Sequence, residues 1–396
     1  MTKRIEWVAS SCRLLAGIAH EFEATRPFEA MTIGTGIHLE PKTAVLLTTL
    51  QCGGARIVAT GNLNSTQGDT VDYLRGRGVE VIAGLSPSEY AHDDDLGSIL
   101  NFAPQLILDN GGDLFARYLK DPYEGLLGGT EETTSGRARL RGLLGKLTVP
   151  ILVINDSPIK QFAENQHAVG QSVFESFMRI TNRSTQGKRV VVFGYGPCGR
   201  GIATNFRNAS SLVTVLETDP VLRLNACLDG FDVQARATAL AEADVIITAT
   251  GGDHVVTVED LASFHDGAIL MNAGHFPREI DVVSLMTDSS VRVVSSSTPG
   301  LQTMRMHDGR SIHLLGEGHM VNLAGPSPLG NSIESMDLGF ALQARCLEAV
   351  ATGTVDPTGI VVPVPRHIDE MVAEDYLALV AGSVTRATSP AAGGGE

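Results

Sequence analysis

The chain has 396 residues, of which 43% are hydrophobic and 19% are charged, and its formal net charge is −15. This length exceeds what one hydrophobic core usually serves, so two domains are expected. The negative charge argues against nucleic acid or an anionic membrane as a partner, because both bind a basic face. Five cysteines without a CxxC pair argue against a zinc ribbon and a disulfide framework, and no apolar run has the length of a membrane span. These features predict a soluble, cytoplasmic protein.

The first 150 residues alternate short apolar runs with helical patterns. Four runs resemble buried strands: "ARIVAT" (55–60), "VEVIAG" (79–84), "PQLILDN" (104–110) and "VPILVIND" (149–156). Between them lie amphipathic segments such as "PKTAVLLTTLQCGG", which ends in Gly-Gly as helices often do. Strands separated by helices predict parallel βαβ units.

A second alternating series follows a mostly helical stretch at 157–186. Its strands are predicted in "GKRVVVFGYG", "SLVTVLETDP", "ADVIITATGG" and "GAILMNAGHF", at the spacing of a doubly wound nucleotide-binding domain. A turn-rich segment, "AGPSPLGNS", then precedes a long predicted helix, "IESMDLGFALQARCLEAV". The fold class is therefore α/β, with two domains.

The stretch "VVVFGYGPCGRGIA" (190–203) has the features of a dinucleotide-binding loop. Gly194 permits a tight turn, Gly196 lets backbone N–H groups approach a pyrophosphate, and Gly199 allows close helix packing. Glu217 ends the next predicted strand, where a carboxylate accepts ribose hydroxyls and repels a 2′-phosphate, so NAD is favoured over NADP. The alternative is an ordinary βα turn, because glycine-rich turns are common in a chain with 43 glycines.

Polar residues gather where predicted strands end, which is where α/β proteins form sites. They are His38, the segment "NSTQ" (64–67), Asp113, Glu132, Thr133, Asn155, Lys160 and His275. Each has an ordinary alternative: a histidine can be a satisfied core residue, a threonine a helix cap and a lysine a solvated side chain.

Taken together, these motifs resemble the S-adenosylhomocysteine hydrolase family, in its short prokaryotic branch. The similar segments, in order, are "HLEPKTA", "STQ", "GGDLF", "EETTSG", "INDSPIK", "GYGPCGRGIA", "NAGHFPREID" and "GEGHMVNLA", with "VPRHIDEMVA" near the end. The resemblance implies a doubly wound substrate domain (1–165), a Rossmann NAD-binding domain (166–328) and a C-terminal helix and segment returning to the substrate domain (329–385). The low-complexity composition of the last residues, "TSPAAGGGE", predicts a disordered tail (386–396). The resemblance also implies tightly bound NAD, a purine nucleoside substrate and a homotetramer or homodimer.

The resemblance further implies a reaction in which the nucleoside 3′-hydroxyl is transiently oxidised. The resulting ketone acidifies the C4′ proton, whose loss expels the 5′ substituent. Lys160 would assist deprotonation of the 3′-hydroxyl, its pKa lowered by burial and neighbouring positive charge, and Asn155 would position it. Glu132 and Thr133 would hold the ribose hydroxyls, and Asp113 would take the C4′ proton. His38 and His275 would handle the proton at the 5′ position.

Two further sets of residues follow from the resemblance. The NAD-lining set is Gly194, Gly196, Pro197, Cys198, Gly199, Glu217, Thr133, Thr134, Asn165, Thr250, Gly251, Asn272 and Asn322. The substrate-binding set is Glu40, Lys42, Thr66, Gln67, Glu164, Gly330 and Asn331. A metal is not needed for this chemistry.

The chain departs from the family near the 5′ leaving group. Asn331 stands where the family has a gating histidine, after a two-residue insertion in "GPSPLG". Glu164 replaces an aspartate, Gly68 replaces a carboxylate, and Pro277 follows "GHF". The family's C-terminal lysine and tyrosines have no counterpart.

These departures favour a smaller leaving group. Loss of water would make the chain a nucleoside dehydratase, as needed for angustmycin-type nucleoside antibiotics. The alternative is hydrolysis of S-adenosylhomocysteine or a related nucleoside thioether. An alternative of another class is a non-catalytic, NAD-binding regulator.

Overall fold

The computed structural model describes residues 2–62, 65–83, 89–356 and 359–388, and it divides into two compact units. The discontinuous unit comprises Met1–Lys160 and Ile333–Glu396, and the inserted unit is the continuous segment Gln161–Ser332. These boundaries lie a few residues from the expected ones after 165 and 328. Residues 161–165 lie in one helix with Gln166, whose backbone carbonyl packs against Gly201 of the inserted unit.

The discontinuous unit is built on a seven-stranded sheet with the order β14-β6-β5-β4-β1-β2-β3. Each pairing among its described strands is parallel. Numbered in chain order, the strands are β1 (Thr32–Ile37), β2 (Arg56–Gly61), β3 (Glu80–Val81), β4 (Leu106–Asp109), β5 (Gly128–Glu131), β6 (Ile151–Val153) and β14 (Val361–Pro363). Parallel strands bring all their carboxyl ends to one edge of the sheet.

Helices cover both faces of this sheet, as parallel sheets require. They are α1 (Thr2–Ser11), α2 (Arg13–Thr25), α3 (Pro41–Cys52), α4 (Gly68–Gly76), α5 (Glu89–Leu100), α6 (Asp113–Tyr118), α7 (Thr134–Arg141), α13 (Ile333–Ala351) and α14 (Arg366–Thr388). Helix α13 is buried on nearly all sides. Its Asp337 accepts hydrogen bonds from the N–H groups of Leu14 and Leu15 at 2.8 and 3.0 Å, which ties α13 to the first turn of α2.

The inserted unit contains a second seven-stranded sheet with the order β11-β12-β13-β10-β9-β7-β8. Its strands are β7 (Arg189–Phe193), β8 (Leu212–Leu216), β9 (Val245–Thr248), β10 (Ile269–Asn272), β11 (Val291–Thr298), β12 (Leu301–Met306) and β13 (Ser311–Leu315). Its helices are α8 (Val169–Thr181), α9 (Pro197–Asn208), α10 (Pro220–Leu228), α11 (Arg236–Glu242) and α12 (Val282–Thr287). A π-helix, Lys160–Ala168, leads into the unit. Two buried apolar clusters lie within this unit.

The predicted α/β class is confirmed, and strands occur in all eight predicted segments. The segment 79–84 yields only the two residues of β3, and β1, β5 and β11–β14 were not predicted. In β1, Gly34 and Gly36 interrupt the apolar run. A Cβ at Gly34 would lie 2.8 Å from Ile99, and one at Gly36 the same distance from Leu96, so glycine lets α5 pack directly on the strand.

The C-terminal helix α14 continues to Thr388, so residues 386–388, expected in a disordered tail, are helical. The rest of that predicted tail, 389–396, lies outside the described residues. No helix in the described ranges is long and apolar enough to cross a membrane.

Candidate functional site

Predicted site residues of the discontinuous unit lie where its parallel strands end: His38 follows β1, Glu132 follows β5, and Asn155 lies in a short 3₁₀ turn after β6. Two residues that the sequence reasoning missed lie at the same edge, Asn62 after β2 and Asn110 after β4. The strands are parallel and adjacent, so these residues share one edge of the sheet.

A buried hydrogen-bonded chain runs along this edge. Lys160 Nζ lies 2.9 Å from Glu132 Oε1, and both side chains are at most 8% exposed. Asn110 donates to Glu132 Oε2 at 2.8 Å, and Asn62 donates to the Asn110 side-chain oxygen at 2.9 Å. Burial disfavours the charged carboxylate, but the Lys160 ammonium and the hydrogen bonds outweigh it and lower the pKa of Glu132. Lys160 was expected beside positive charge, whereas its described ion pair is with a carboxylate.

His38 lies beside this chain and is half-buried. Its Nδ1 is 2.5 Å from Ser65 Oγ, which in turn donates to the Asn62 carbonyl at 3.2 Å. Thr66 also donates to the Asn62 carbonyl, at 3.3 Å, and Gln67 accepts a hydrogen bond from Arg4. The first residue of the predicted "NSTQ" segment, at position 64, lies outside the described residues.

The first turn of α3 carries a second buried ion pair. Lys42 Nζ lies 2.8 Å from Glu40 Oε2, and each side chain is only 6% exposed. Such a pair is expensive to desolvate and contributes little net stability, so its presence beside the site favours a binding role. The sequence placed both residues in the substrate-binding set.

Asp113 begins α6 after two glycines with positive φ, Gly111 and Gly112. It forms an ion pair with Arg139, a residue that the sequence reasoning missed. Because Arg139 lies on α7, the pair joins the loop after β4 to the helix after β5. Asp113 thus has a defined orientation in the absence of substrate.

Glu131 is another residue that the sequence reasoning missed, and it organises the Asp113 loop. Its fully buried carboxylate accepts the N–H groups of Gly111 (3.1 Å), Gly112 (2.9 Å) and Thr133 (2.6 Å), and the Thr133 hydroxyl (2.8 Å). Burial raises the pKa of Glu131 to about 7. The signal was present in the sequence, since "EETTSG" contains two adjacent glutamates.

Thr133 and Thr134 have different tasks in the structure. Thr133 caps α7 by accepting the N–H of Gly136 at 2.9 Å. Thr134 donates to the Asn155 side-chain oxygen at 3.1 Å, which joins the carboxyl ends of β5 and β6.

The glycine loop of the inserted unit has the shape that a pyrophosphate requires. Gly194 has a φ of +93°, and a Cβ at Gly199 would lie 2.0 Å from the Gly194 carbonyl oxygen, so both positions require glycine. A Cβ at Gly196 would meet no protein atom within 4 Å, which leaves open space at the amino end of α9. Pro197 and Cys198 form the first turn of α9. This cradle fits the phosphates of a dinucleotide.

Glu217, at the end of β8, is held by backbone donors. It accepts the N–H groups of Tyr195 and Thr218, both at 2.7 Å, and of Asp219 at 2.9 Å. The contact with Tyr195 joins Glu217 to the glycine loop. A carboxylate fixed beside that loop suits ribose hydroxyls and is incompatible with a 2′-phosphate.

Thr250 and Gly251, after β9, are both bound by another residue that the sequence reasoning missed, Glu279. Asn272, the last residue of β10, is fully buried, and its side-chain amide forms hydrogen bonds to other groups of the inserted unit. It accepts from Gly274 N–H (2.8 Å) and Thr248 (3.0 Å) and donates to three backbone carbonyls. The structure therefore gives Asn272 a part in shaping the loop that carries His275. His275 itself is half-buried and its ring packs edge-on against Phe276.

Asn322 and Asn331 meet at Ser172 on α8. Ser172 donates to Asn331 Oδ1 at 2.9 Å, and Asn322 donates to Ser172 at 3.1 Å. Gly330, with φ of +67°, donates its N–H to the Asn322 carbonyl at 3.1 Å. The structure thus brings these three predicted residues together. Glu164 and Asn165 lie in the π-helix, where Glu164 is buried and Asn165 half-buried.

Comparison with known proteins gives one consistent result. Residues 2–125 match the family model described as S-adenosyl-L-homocysteine hydrolase, and residues 165–327 match its NAD binding domain. An S-inosyl-L-homocysteine hydrolase of Methanopyrus kandleri is 40% identical over 93% of this chain and 88% of its own length. An adenosylhomocysteinase of Thermotoga maritima is 40% identical over 93% of this chain and 92% of its own.

Proposed function

The chain belongs to the S-adenosylhomocysteine hydrolase family and has NAD as its cofactor, and from this premise we propose that it acts on a purine nucleoside bearing a 5′ substituent. The substituent would be a homocysteine thioether, as in the names of the relatives. The observation that carries the proposal is the buried chain Lys160–Glu132–Asn110–Asn62. It is a costly polar arrangement, and it suits a group that exchanges a proton with a ribose hydroxyl.

NAD would supply reversible two-electron oxidation of the 3′-hydroxyl when bound. In the discontinuous unit, Lys160 would take the proton of O3′ as a neutral amine, and Glu132 would hold the ammonium that this forms. Glu132 has a second oxygen bonded to Asn110, so its orientation does not depend on the lysine alone. Asn155 would position Lys160, and Thr133 would hold a ribose hydroxyl.

Asp113 would take the C4′ proton once C3′ is a ketone. The electron pair then expels the 5′ substituent, and the proton that this group needs would come from His38 or His275. Addition of water at C5′ and return of the electrons to C3′ would complete hydrolysis. In this scheme the sugar is oxidised and then reduced, so the net reaction is hydrolytic.

The inserted unit would hold NAD through the backbone of its glycine loop, with Glu217 on the ribose hydroxyls. The open space at Gly196, at the amino end of α9, supports pyrophosphate binding there. Thr250, Gly251 and Asn322 are the proposed lining residues beyond the loop.

A second candidate, loss of water from the 5′ position, is favoured by Asn331. Where the family has a histidine, this chain has an amide bonded to Ser172. The resemblance implies that the family's histidine gates the nucleoside pocket, so an asparagine here changes the surroundings of the 5′ substituent and is compatible with a smaller leaving group. Nucleoside dehydration, which the sequence alone favoured, therefore becomes the second candidate.

One experiment separates the candidates. The NAD-loaded protein is incubated with S-adenosylhomocysteine, with S-inosylhomocysteine and with adenosine, in deuterated water. Release of homocysteine supports the main proposal, and the preferred substrate identifies the base. A nucleoside product lighter by one water supports dehydration. Absence of both products and of deuterium at C4′ would contradict both proposals and favour a regulator. Light scattering tests the predicted homotetramer or homodimer.

A further inference from the structure

We propose that Glu279 is a positioning residue for NAD, because its carboxylate holds the backbone of Thr250 and Gly251 and thereby sets the affinity of the inserted unit for the cofactor. The inference depends on the proposed lining role of Thr250 and Gly251. It does not depend on which 5′ substituent leaves.

The side chain of Glu279 is fully buried and collects three donors from one loop. Its Oε2 accepts the N–H of Thr250 at 2.9 Å and the Thr250 hydroxyl at 2.8 Å. Its Oε1 accepts the N–H of Gly251 at 2.8 Å. Hydrogen bonds to an ionised group are among the strongest in proteins, so this carboxylate fixes the backbone after β9.

The main chain of Glu279 extends the same connection. Its carbonyl oxygen accepts the N–H groups of Val255 at 2.7 Å and Val256 at 2.9 Å. The neighbouring Arg278 carbonyl accepts the N–H of His254 at 2.7 Å. The loop that follows β9, residues 250–256, is therefore bound near both of its ends to residues 278–279. Its shape depends on these two residues.

Gly274 makes room for the carboxylate. A Cβ at this position would lie 1.6 Å from Glu279 Oε1, so any side chain here would displace it. Gly274 precedes His275 and is itself bound to Asn272 at 2.8 Å. Glu279 thus connects the proposed NAD-lining loop with the loop that carries a proposed catalytic histidine.

The charge state of Glu279 matters because only the ionised carboxylate accepts all three hydrogen bonds. Burial raises the pKa of Glu279, the bonds from Thr250 and Gly251 lower it in part, and nearby Asp253 raises it again. Asp253 is itself paired with Arg278 at 3.4 Å. Farther along the same two segments, an ion pair joins His254 Nδ1 to Asp281 at 3.2 Å. As the pH falls from neutrality, protonation of Glu279 would remove an acceptor from the loop.

The test is Glu279→Gln, with NAD binding measured by calorimetry on protein stripped of cofactor. Glutamine keeps the size but places an amide N–H₂ group or a neutral oxygen against the loop N–H groups. We expect NAD to bind roughly tenfold more weakly or worse. We also expect the wild-type decline in NAD affinity below neutral pH to be reduced in the variant, which a purely structural role would not produce. Glu242→Gln, in an exposed ion pair with Arg189, is the matched control and should bind as wild type.

Two further variants keep the test decisive if Glu279→Gln does not fold. Gly274→Ala displaces the carboxylate while keeping its charge. Thr250→Val removes the hydroxyl that donates to Glu279 and accepts the N–H of Gly252 at 3.0 Å, but it keeps both backbone donors to the carboxylate, so the loss of affinity should be larger for Gly274→Ala. NAD affinity within about twofold of wild type for Glu279→Gln, or weakened binding with an unchanged pH profile, would overturn the proposal. Calorimetry uses NAD without a nucleoside, so failure of the proposed function would not affect this result.

Discussion

The surfaces at the strand ends of the two units are stabilised in different ways. The discontinuous unit uses pairs of charged side chains, and the inserted unit uses hydrogen bonds between carboxylates and backbone N–H groups. In the discontinuous unit, side-chain charges are buried and paired: Lys160 with Glu132, and Lys42 with Glu40. In the inserted unit, the carboxylates of Glu217 and Glu279 are bonded to backbone N–H groups, and glycines shape the surrounding loops.

The difference follows from what each surface has to do. A unit that moves protons needs titratable groups with controlled charge, and burial with a partner provides that control. A unit that binds a dinucleotide needs backbone donors at fixed positions, because the amino end of a helix already attracts phosphate. Single substitutions should therefore affect catalysis in one unit and cofactor affinity in the other.

The largest effect is expected for Lys160→Gln in the discontinuous unit. Loss of the ammonium removes the proton-handling group and leaves Glu132 buried without its cation, so turnover should fall by about 10²–10⁴-fold. Stability should also fall by about 3–5 kcal/mol, as for other broken buried ion pairs. The measurements are substrate turnover and denaturant unfolding. Lys146→Gln, at an exposed position in the same unit, is the control. Turnover of the Lys160 variant close to that of the control would contradict the assignment.

Two alanine substitutions separate folding from cofactor binding in the inserted unit. A Cβ at Gly199 collides with the Gly194 carbonyl, so Gly199→Ala should lose both stability and NAD affinity. A Cβ at Gly196 meets no protein atom, so Gly196→Ala should keep its unfolding midpoint but bind NAD roughly tenfold more weakly. Calorimetry and thermal unfolding without NAD measure the two quantities. Equal NAD affinity in Gly196→Ala and wild type would place the pyrophosphate elsewhere.

The pH dependence of stability should distinguish Glu131 from Glu132. Burial raises the folded-state pKa of Glu131 from its ordinary 4.5 to about 7. The native state therefore binds more protons than the unfolded chain between these values, and the free energy of unfolding should fall as pH rises, by up to ~1.4 kcal/mol per pH unit. Glu132 has a lowered pKa, so its contribution is lost at acid pH, below about 4.5, which is a separate window.

Glu131→Gln should flatten that slope, as measured by denaturant unfolding across the pH range. Part of the slope should remain, because burial also raises the pKa of the adjacent Asp109. Exposed Glu124, replaced by Gln, is the control and should leave the slope unchanged. A slope of the opposite sign in wild type would show that the hydrogen bonds to Glu131 outweigh its burial.

The smallest effect is expected for Asn331→Ala. It removes the acceptor of hydrogen bonds from Ser172 at 2.9 Å and Asn322 at 3.4 Å, so the free energy of unfolding should fall by about 1 kcal/mol. Ser172→Ala removes the same Ser172–Asn331 bond together with the bonds of Ser172 to Asn322 and the Val169 carbonyl, and the double variant should cost less than the sum because one bond is common to both. Additive losses would show that the bond does not form in solution.

Much of the fold was predictable because its strands are apolar runs and its loops carry glycine. β7, β8 and β9 are of this kind. β1 and β5 were missed because glycine replaces apolar residues where helices or neighbouring strands press on the backbone. β11–β13 were missed because an antiparallel extension of mixed polarity carries no clear periodicity.

The sequence picked out Lys160 and Glu132, which the structure shows buried and paired, and their proposed roles stay predictions. Arg139, Glu131 and Glu279 were missed. Arg139 and Glu279 bind partners that are distant in sequence, so no local pattern reveals them. Glu279 in particular binds backbone N–H groups, which every residue possesses and which leave no mark on the sequence. Glu131 was overlooked although it stands next to Glu132 in "EETTSG".

The insertion of one unit into the other has a consequence for synthesis on the ribosome. The segment Gln161–Ser332 is continuous, so it is complete before α13 and β14 are translated. The earlier sheet then still lacks its edge strand and a central helix. Since domains fold as units during translation, we expect the inserted unit to fold first and the discontinuous unit to be completed only after α13 and β14 emerge.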